Sequence, residues 1–234
     1  MLLKGTHSDV SNSRDLSGNY VMNMASSGCK QSRCVRVAVL GASGVGKTSL
    51  IEQFVFNSFS FTHKATRKKR VYSVTVFHAE RYYQLQIVDL PPLARFPVDS
   101  LHEYSTCGAT LLHHCDAILL VYDVTRADTF QHIRRLRAQM MDFSPGSVPV
   151  VVAANKCDSS SDSKQTTRRD VTAYVRKQWR CAYCETSARS NWRVTALFKD
   201  VVRVIESGET SQKVTTTRAA RVQNALRSNH CNIL

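Results

Sequence analysis

Residues 41–48 read Gly-Ala-Ser-Gly-Val-Gly-Lys-Thr, and this stretch constrains the fold more than any other part of the chain. It fits the phosphate-loop pattern of glycine, four residues and then Gly-Lys-Ser/Thr. An apolar, β-branched run at 35–40 precedes it, and helical spacing over 47–56 follows it. The pattern therefore lies at a strand-to-helix turn, where curled backbone N–H groups and a helix N-terminus attract an anion.

The residue types in this loop predict a polyphosphate site with a divalent cation. Lys47 is expected to reach the terminal phosphates and to act in catalysis, and the Thr48 hydroxyl is expected to ligate Mg²⁺. The predicted nucleotide-binding residues of the loop are Gly41, Ser43, Gly44, Val45, Gly46, Lys47, Thr48 and Ser49.

The bulk composition limits the class of protein. The chain has 234 residues, 43% of them hydrophobic, and a formal net charge of +14. No stretch approaches the roughly 20 apolar residues of a membrane helix, and no convincing signal peptide is visible. We therefore expect a cytosolic chain whose eight cysteines are mostly thiols. The charge favours phosphate-rich partners, namely nucleotides, anionic lipids or nucleic acid, without choosing among them.

Apolar runs and helical stretches alternate through the middle of the chain. Runs typical of strands recur at 35–40, 71–77, 84–89, 117–122 and 148–153, with a shorter one before Glu185. Helical spacing covers 47–56, 127–141, about 166–178 and 192–206. This order predicts an α/β fold with three layers, in which helices cover both faces of a six-stranded, mainly parallel sheet. We predict a disordered arm at 1–34, a folded domain at 35–207 and a basic flexible tail at 208–234.

Two further motifs follow predicted strands. Asn155-Lys-Cys-Asp158 comes after the run at 148–153, and Glu185-Thr-Ser-Ala188 comes after the last strand. A carboxylate such as that of Asp158 can accept the two adjacent donors of guanine, the ring N1–H and the 2-amino group. Adenine offers an acceptor at N1 and no 2-amino group, so it would leave the carboxylate unpaired at a cost. The motif therefore favours guanine over adenine.

With these three motifs in order, residues 35–206 resemble the Ras superfamily of small GTPases. The resemblance implies the three-layer phosphate-loop G-domain fold, with GTP/GDP and Mg²⁺ bound. It implies that Asn155 supports the base edge, that the Lys156 stem covers one face of the base, and that the Ala188 N–H meets the guanine oxygen. Ser187 and Arg189 are expected to complete this base-binding loop.

The resemblance also places the switch residues. Phe59 lies where the family sets an aromatic ring against the base, although a core phenylalanine is an equal alternative. Thr66 lies where a threonine closes over Mg²⁺ and the γ-phosphate, so we assign it a catalytic and metal-binding role. Arg67-Lys-Lys-Arg70 follows, where Ras has an acidic effector loop. Such a loop should repel Ras effectors, unless it is only a solvated face.

The second switch departs from the family pattern of Asp-x-x-Gly followed by glutamine. Asp89 matches and is expected to hold the Mg²⁺ shell, but Pro92 replaces the glycine and Leu93 replaces the glutamine. Proline has no N–H to offer a γ-phosphate, and leucine cannot orient a water molecule. Ser43 stands where Ras leaves room for an arginine finger, and the segment from Asp89 to Ala117 is longer than in Ras. These departures predict weak hydrolysis.

Four functions remain open from the sequence. The first is a membrane-attached switch that hydrolyses GTP slowly, and the second is a guanine-nucleotide-binding module regulated by abundance and location. The third, an adenine-nucleotide phosphotransferase, is opposed by Asn155 and Asp158. The fourth, nucleic-acid binding, lacks any aromatic-interleaved basic stripe, so we expect no nucleic-acid partner.

Within the superfamily, Arg36–Thr48 and Gln178–Glu185 resemble the atypical Ras-like protein family ten subgroup.

The chain ends Cys231-Asn-Ile-Leu234, which fits a prenylation box whose final leucine favours geranylgeranyl. We predict lipidation of Cys231 and attachment to the cytoplasmic face of the plasma membrane, with a possible cytosolic pool. The basic tail would add attraction to the anionic inner leaflet. The sequence names no effector or exchange factor.

Cys181-Ala-Tyr-Cys184 has no second ligand pair at zinc spacing; a redox dithiol is possible, and a structural role is favoured.

Overall fold

The computed structural model describes residues 13–14, 20–21, 32–62, 64–96, 114–143, 148–159 and 165–208. Its strands are β1 (Ser13–Arg14), β2 (Tyr20–Val21), β3 (Arg33–Leu40), β4 (Arg70–His78), β5 (Arg81–Asp89), β6 (Ala117–Asp123), β7 (Val150–Asn155) and β8 (Ala182–Glu185). Its α-helices are α1 (Lys47–Phe56), α2 (Ala127–Phe143), α3 (Gln165–Tyr174) and α4 over 194–208. A π-helical turn, Val175–Trp179, directly follows α3.

Six of these strands form one sheet in the order β4-β5-β3-β6-β7-β8. Only β4 and β5 pair antiparallel, and every other neighbouring pair is parallel. The short strands β1 and β2 pair with each other separately. The predicted fold class, a six-stranded and mainly parallel α/β sheet, is therefore confirmed.

Side chains of the central strands alternate between two buried faces, as period-two geometry requires. On one face, Val37 of β3 and Leu119 of β6 pack with Leu50 of α1 and Phe198 of α4. On the other face, alternate residues of the same strands pack against Ile133 of α2 and Val175 of the turn after α3; they include Ala38, Leu40, Ile118 and Leu120. Because both faces are covered, the central strands are mostly apolar.

The parallel arrangement gathers several loops at one edge of the sheet. β3, β5, β6, β7 and β8 all end there, and the residues at or near those ends include Leu40, Asp89, Asp123, Asn155 and Glu185. In open α/β sheets, ligands bind outside the carboxyl ends of the strands. The motifs singled out in the sequence therefore meet at one place.

Some element boundaries differ from the sequence prediction. β7 is shifted toward the carboxyl end and includes Asn155. α4 begins at residue 194 rather than 192, because Ser187 and Trp192 form a β-bridge and Arg193 has a φ of 55°. In the part of the chain that is described, no helix is long and apolar enough to cross a membrane. Most of the predicted arm, nearly all of the tail with Cys231, and residues 97–113 of the lengthened second switch lie outside the described residues.

Candidate functional site: a phosphate-loop cleft

The phosphate loop connects β3 to α1 and leaves no room for side chains at two of its glycines. A Cβ at Gly41 would lie 2.2 Å from the Val121 carbonyl oxygen, and one at Gly46 would lie 2.4 Å from Asn155 Nδ2. Gly46 precedes α1 with a φ of 92°, a left-handed conformation that glycine adopts readily. The loop therefore needs glycine at both positions, for close approach and for backbone geometry.

The ammonium of Lys47 is buried inside this loop. Its Nζ donates to the carbonyl oxygens of Gly41 at 2.9 Å and Ala42 at 3.0 Å. Burial lowers the pKa of Lys47 to about 8, against an opposing effect of the Asp89 carboxylate. An ammonium that has lost part of its hydration at a helix N-terminus is well suited to bind an anion. The negative charge of such a ligand would compensate for the lost hydration.

Three oxygen-bearing side chains converge next to Lys47. Thr48 Oγ1 lies 2.7 Å from Asp89 Oδ2 and 2.8 Å from Thr66 Oγ1, so the structure brings together the three predicted metal-binding residues. Asp89 is fully buried, and its Oδ1 has no hydrogen-bond partner. Burial raises the pKa of Asp89, while the Thr48 hydrogen bond and the Lys47 charge oppose that shift.

This group of oxygens fits a hard cation such as Mg²⁺. Hydroxyl and carboxylate oxygens are its preferred ligands, and Mg²⁺ commonly takes only one or two protein ligands together with phosphate oxygens. The buried, unpartnered oxygen of Asp89 is an electrostatic reason to bind a cation there. Elsewhere among the described residues, no cluster of His, Cys, Asp or Glu is arranged to hold a metal ion.

Asn155 connects the phosphate loop to the loop after β8. Its Nδ2 donates to the Val45 carbonyl oxygen at 2.9 Å, and its Oδ1 accepts the Ala188 N–H at 3.1 Å. The resemblance assigns the Ala188 N–H to the guanine oxygen, whereas in this structure that N–H is bonded to Asn155. Asn155 is therefore a buried structural link between two sides of the site.

Lys156 makes a second link of the same kind. Its backbone has a φ of 65°, and its Nζ lies 2.7 Å from the Gly44 carbonyl oxygen and 2.8 Å from Asp123 Oδ2. Burial tends to raise the pKa of Asp123, but hydrogen bonds from Lys156 and Thr125 outweigh that effect and lower it. The sequence reasoning missed Asp123, although an acidic residue ending a buried strand at the shared sheet edge was a usable signal.

A cleft of about 550 Å³ unites these groups. Thirteen of the predicted site residues line it: Ser43, Gly44, Gly46, Lys47, Thr48, Ser49, Phe59, Thr66, Asn155, Lys156, Asp158, Ala188 and Arg189. Gly41, Val45, Asp89 and Ser187 are buried and are absent from its lining. Asp158 is exposed, and its Oδ2 accepts a long hydrogen bond from Ser159 Oγ at 3.3 Å, so a ligand can reach the carboxylate from solvent. Phe59 is half-buried against the core. Phe59 thus lines the cleft and also packs against the core, a position compatible with either role considered for it.

Further residues on the cleft wall were not predicted. Phe61 extends from the loop after α1, 80% exposed, with the Arg189 guanidinium 5.5 Å from its ring centre. Glu52, Lys64 and Arg70 also line the cleft. Arg70 belongs to the basic run noted in the sequence, but neither it nor the others carries a signal that places it at a nucleotide site.

The two unusual residues of the second switch point in different directions. Pro92 is exposed and lines the cleft, whereas Leu93 is buried in the core cluster beside α2. Phe96 is buried in the same cluster, and its N–H donates to Gln139 Oε1 at 2.8 Å. The carboxyl-terminal part of the segment 90–96 is thus held against α2 by Leu93 and Phe96. The side chain of Leu93 does not line the cleft.

The cysteine pair lies away from this cleft. Cys184 is buried in β8, Cys181 precedes the strand, and both are free thiols. Burial raises the pKa of each, which makes the thiolate scarce at neutral pH. These features support the structural role favoured from the sequence.

Comparison with known proteins agrees with the geometry. Residues 36–207 match the sequence profile of the Ras family. The human Ras-like protein family members 10B and 10A are each 34% identical to the chain, over 202 and 206 residues. These alignments cover 85% and 86% of the chain and 98% of each relative. GTP-binding protein Di-Ras2 of Macaca fascicularis is 29% identical over 177 residues, which cover 75% of the chain and 83% of that relative.

Proposed function

This chain belongs to the Ras family of small GTPases, and from that premise we propose that it is a membrane-attached guanine-nucleotide switch with slow GTP hydrolysis. The observation that carries the proposal is one cleft lined both by Lys47 of the phosphate loop and by Asp158 of the base-selecting motif. A polyphosphate and a purine belonging to one molecule can therefore be held at the two ends of a single site.

Nucleotide selection is assigned to Asp158. Its exposed carboxylate can accept both the N1–H and the 2-amino group of guanine, whereas adenine would leave it unpaired. The hydrogen bonds from Asn155 and Lys156 to the phosphate loop hold this end of the cleft at a fixed position relative to that loop. Guanine nucleotide is accordingly the proposed ligand, and an adenine nucleotide is disfavoured.

The phosphates are assigned to the other end of the cleft. The Lys47 ammonium and the loop N–H groups would meet the phosphate oxygens, and Thr48, Thr66 and Asp89 would hold Mg²⁺. An ion held there would supply positive charge to offset the negative charge of the phosphates. Thr48 and Thr66 form a hydrogen bond with each other. The loop that carries Thr66, the first switch, is therefore positioned to respond to the ligand bound at this site.

Slow hydrolysis is supported by the second switch. Pro92 has no N–H to donate from its place on the cleft wall, and Leu93 is packed in the core rather than aimed at an attacking water. Ser43 further narrows the space that Ras leaves for an arginine finger, which normally supplies about 10³–10⁵ in rate. GTP would therefore persist for longer than in Ras.

A second candidate function shares the same site. The attachment of Leu93 and Phe96 to α2 favours a module that stays in one conformation whether GTP or GDP is bound. Its signal would then depend on abundance and location. Equal affinity of a partner for the GTP- and GDP-loaded forms would favour this module over the switch.

Partners and location complete the proposal. Lys68 and Lys69 belong to the exposed basic loop at 67–70, so effectors should differ from those of Ras. Prenylation of Cys231 and the basic tail would hold the protein at the cytoplasmic face of the plasma membrane, with a cytosolic pool.

Competition between GTP and ATP tests the proposed ligand. Purified full-length protein is loaded with fluorescent GDP and Mg²⁺, and displacement by each triphosphate is measured. We expect strong preference for GTP, and loss of that preference in Asp158→Ala but not in Asp142→Ala, an exposed carboxylate on α2. Equal displacement by ATP in the wild-type protein would refute guanine selection. A single-turnover rate equal to that of Ras, about 4 × 10⁻⁴ s⁻¹, would refute slow hydrolysis.

A further inference from the structure

Two loops face each other across the mouth of the cleft, and one side chain from each makes contact with the other. Phe61 comes from the loop that leads to the first switch, and Arg189 comes from the loop after β8. The Arg189 guanidinium lies 5.5 Å from the centre of the Phe61 ring, which is the geometry of a cation–π contact. This contact joins two loops, far apart in sequence, that line the same cleft.

Phe61 is held in place although it is 80% exposed. Its ring meets the ring of Phe59 edge-on, with centres 5.2 Å apart and planes at 90°. Phe59 in turn packs against the hydrophobic core. On either side of Phe61, the Thr62 N–H donates to Ser60 Oγ at 3.2 Å, which closes a tight turn. The exposed ring is therefore supported from the core outward.

Arg189 projects from an equally fixed loop. The preceding Ala188 N–H is bonded to Asn155, the following Ser190 N–H donates to Ser187 Oγ at 3.1 Å, and Ser187 forms a β-bridge with Trp192. Both ends of the Phe61–Arg189 contact thus rest on hydrogen-bonded backbone, and both residues line the same cleft as Asp158.

We propose that Phe61 and Arg189 form a strap across the cleft that slows both entry and release of the nucleotide. This inference rests on the proposed guanine-nucleotide site. The strap exists between protein groups before any ligand is bound, so opening it adds to the barrier in both directions and changes the equilibrium affinity little. Phe61 is then a positioning residue that controls exchange, and it need not touch the nucleotide.

The expected size of the effect follows from the exposure of the contact. An exposed cation–π contact corresponds to a change in rate of about two- to fivefold. Phe61→Leu and Arg189→Ala should each raise the association and release rates of fluorescent GDP by this factor. For Phe61→Leu, the dissociation constant should stay within about twofold of the wild-type value, since loss of the strap removes the same barrier from both directions.

The experiment measures both rates by stopped flow on full-length protein in excess Mg²⁺. Phe56→Leu is the matched control, because Phe56 is 46% exposed but does not line the cleft. The swapped double variant Phe61→Arg with Arg189→Phe should restore slow exchange, whereas Phe61→Arg alone should exchange fastest. Thermal unfolding of each variant establishes that it is folded.

Unchanged rates in Phe61→Leu and Arg189→Ala would overturn the strap while leaving the guanine site intact. Faster release with unchanged association in Phe61→Leu would also overturn it, because that pattern indicates a direct contact with bound nucleotide. Absence of guanine-nucleotide binding in the wild-type protein would instead refute the proposed function, so the two failures are distinguishable.

Discussion

At the residue scale, the site depends on a few side chains that bond to backbone atoms of distant loops. Asn155 and Lys156 bind carbonyl oxygens of the phosphate loop, more than a hundred positions earlier in the chain. A buried, fully bonded amide such as that of Asn155 is costly to disturb, since breaking it leaves donors and acceptors unpaired. Substitutions that disturb these hydrogen bonds should therefore lower the free energy of unfolding by more than backbone strain alone would.

Gly46→Ala tests the closeness of this contact. The substitution combines a left-handed φ of 92° with a Cβ only 2.4 Å from Asn155 Nδ2, whereas Gly44→Ala shares the strain at a φ of 75° but has only Arg126 Nη1 within reach at 3.9 Å. We expect Gly44→Ala to lower the free energy of unfolding by about 1–2 kcal/mol. Gly46→Ala should cost at least about 1 kcal/mol more, because the Asn155 link is broken. Urea unfolding of the nucleotide-free proteins measures both.

Gly208→Ala provides the baseline, because nothing lies within 4 Å of a Cβ there. Its effect should stay within about 0.5 kcal/mol. Equal losses in Gly44→Ala and Gly46→Ala would show that Asn155 gives way without cost.

Lys47 gives the binding step a pH dependence. Its pKa of about 8 in the free site means that Lys47 is charged below that pH and largely neutral above it. Bound phosphate favours the charged form and raises the pKa, so binding above about pH 8 must take up a proton. GDP affinity should therefore fall as the pH rises above about 8, by up to about tenfold per pH unit.

Calorimetry in two buffers of different ionisation enthalpy measures this proton uptake. We expect almost none well below pH 8 and close to one proton well above it. The Lys177→Met variant, which changes an exposed lysine beyond the cleft, should keep the same profile. Uptake that does not vary with pH would contradict the assignment to Lys47.

At the element scale, the second switch segment is fastened to α2 at one end and lines the cleft at the other. Leu93 and Phe96 are buried beside the helix, and Gln139 accepts the Phe96 N–H. Burying a leucine side chain contributes about 1.5–3 kcal/mol, which favours the position seen here over one facing the cleft. The side chain at residue 93 can therefore either pack in the core or face the cleft, where it could orient a water molecule for hydrolysis.

The double variant Pro92→Gly with Leu93→Gln should speed single-turnover GTP hydrolysis. It supplies both a backbone N–H and an amide able to orient water, and positioned groups of this kind contribute about 10²-fold or more. Its free energy of unfolding should fall by about 1.5–3 kcal/mol, because glutamine leaves the apolar cluster. Pro92→Gly with Leu93→Ala should lose similar stability without gaining rate. If both double variants turn over GTP equally, residue 93 has no role in hydrolysis.

Much of the element pattern could be predicted, because buried parallel strands such as β6 and β7 are continuous apolar runs. The positions of Lys47 and Asp158 in one cleft followed from motif order alone. The Ser187–Trp192 bridge that delays α4 could not be predicted, since it depends on a tertiary contact. The burial of Leu93 was hidden for the same reason: a leucine after two prolines does not reveal which side it packs on.

At the scale of the whole molecule, charge and tail act together. The net charge of +14 attracts anionic surfaces, and the four basic residues Lys213, Arg218, Arg221 and Arg227 lie between the folded domain and Cys231. One lipid chain gives only marginal attachment, and stable anchoring takes a second signal. Under the proposed attachment, that second signal would be electrostatic, so attachment should depend on ionic strength.

Cys231→Ser should therefore move the protein from the membrane to the soluble fraction of cells expressing it. Cys34→Ser, which removes an exposed thiol in β3, should leave the distribution unchanged. For the lipidated protein on vesicles that contain anionic lipid, raising the salt from about 0.1 to 1 M shortens the Debye length from about 10 to 3 Å and should release a large part of it. The same release from neutral vesicles would contradict the electrostatic contribution, and membrane partition that persists in Cys231→Ser would contradict the lipid anchor.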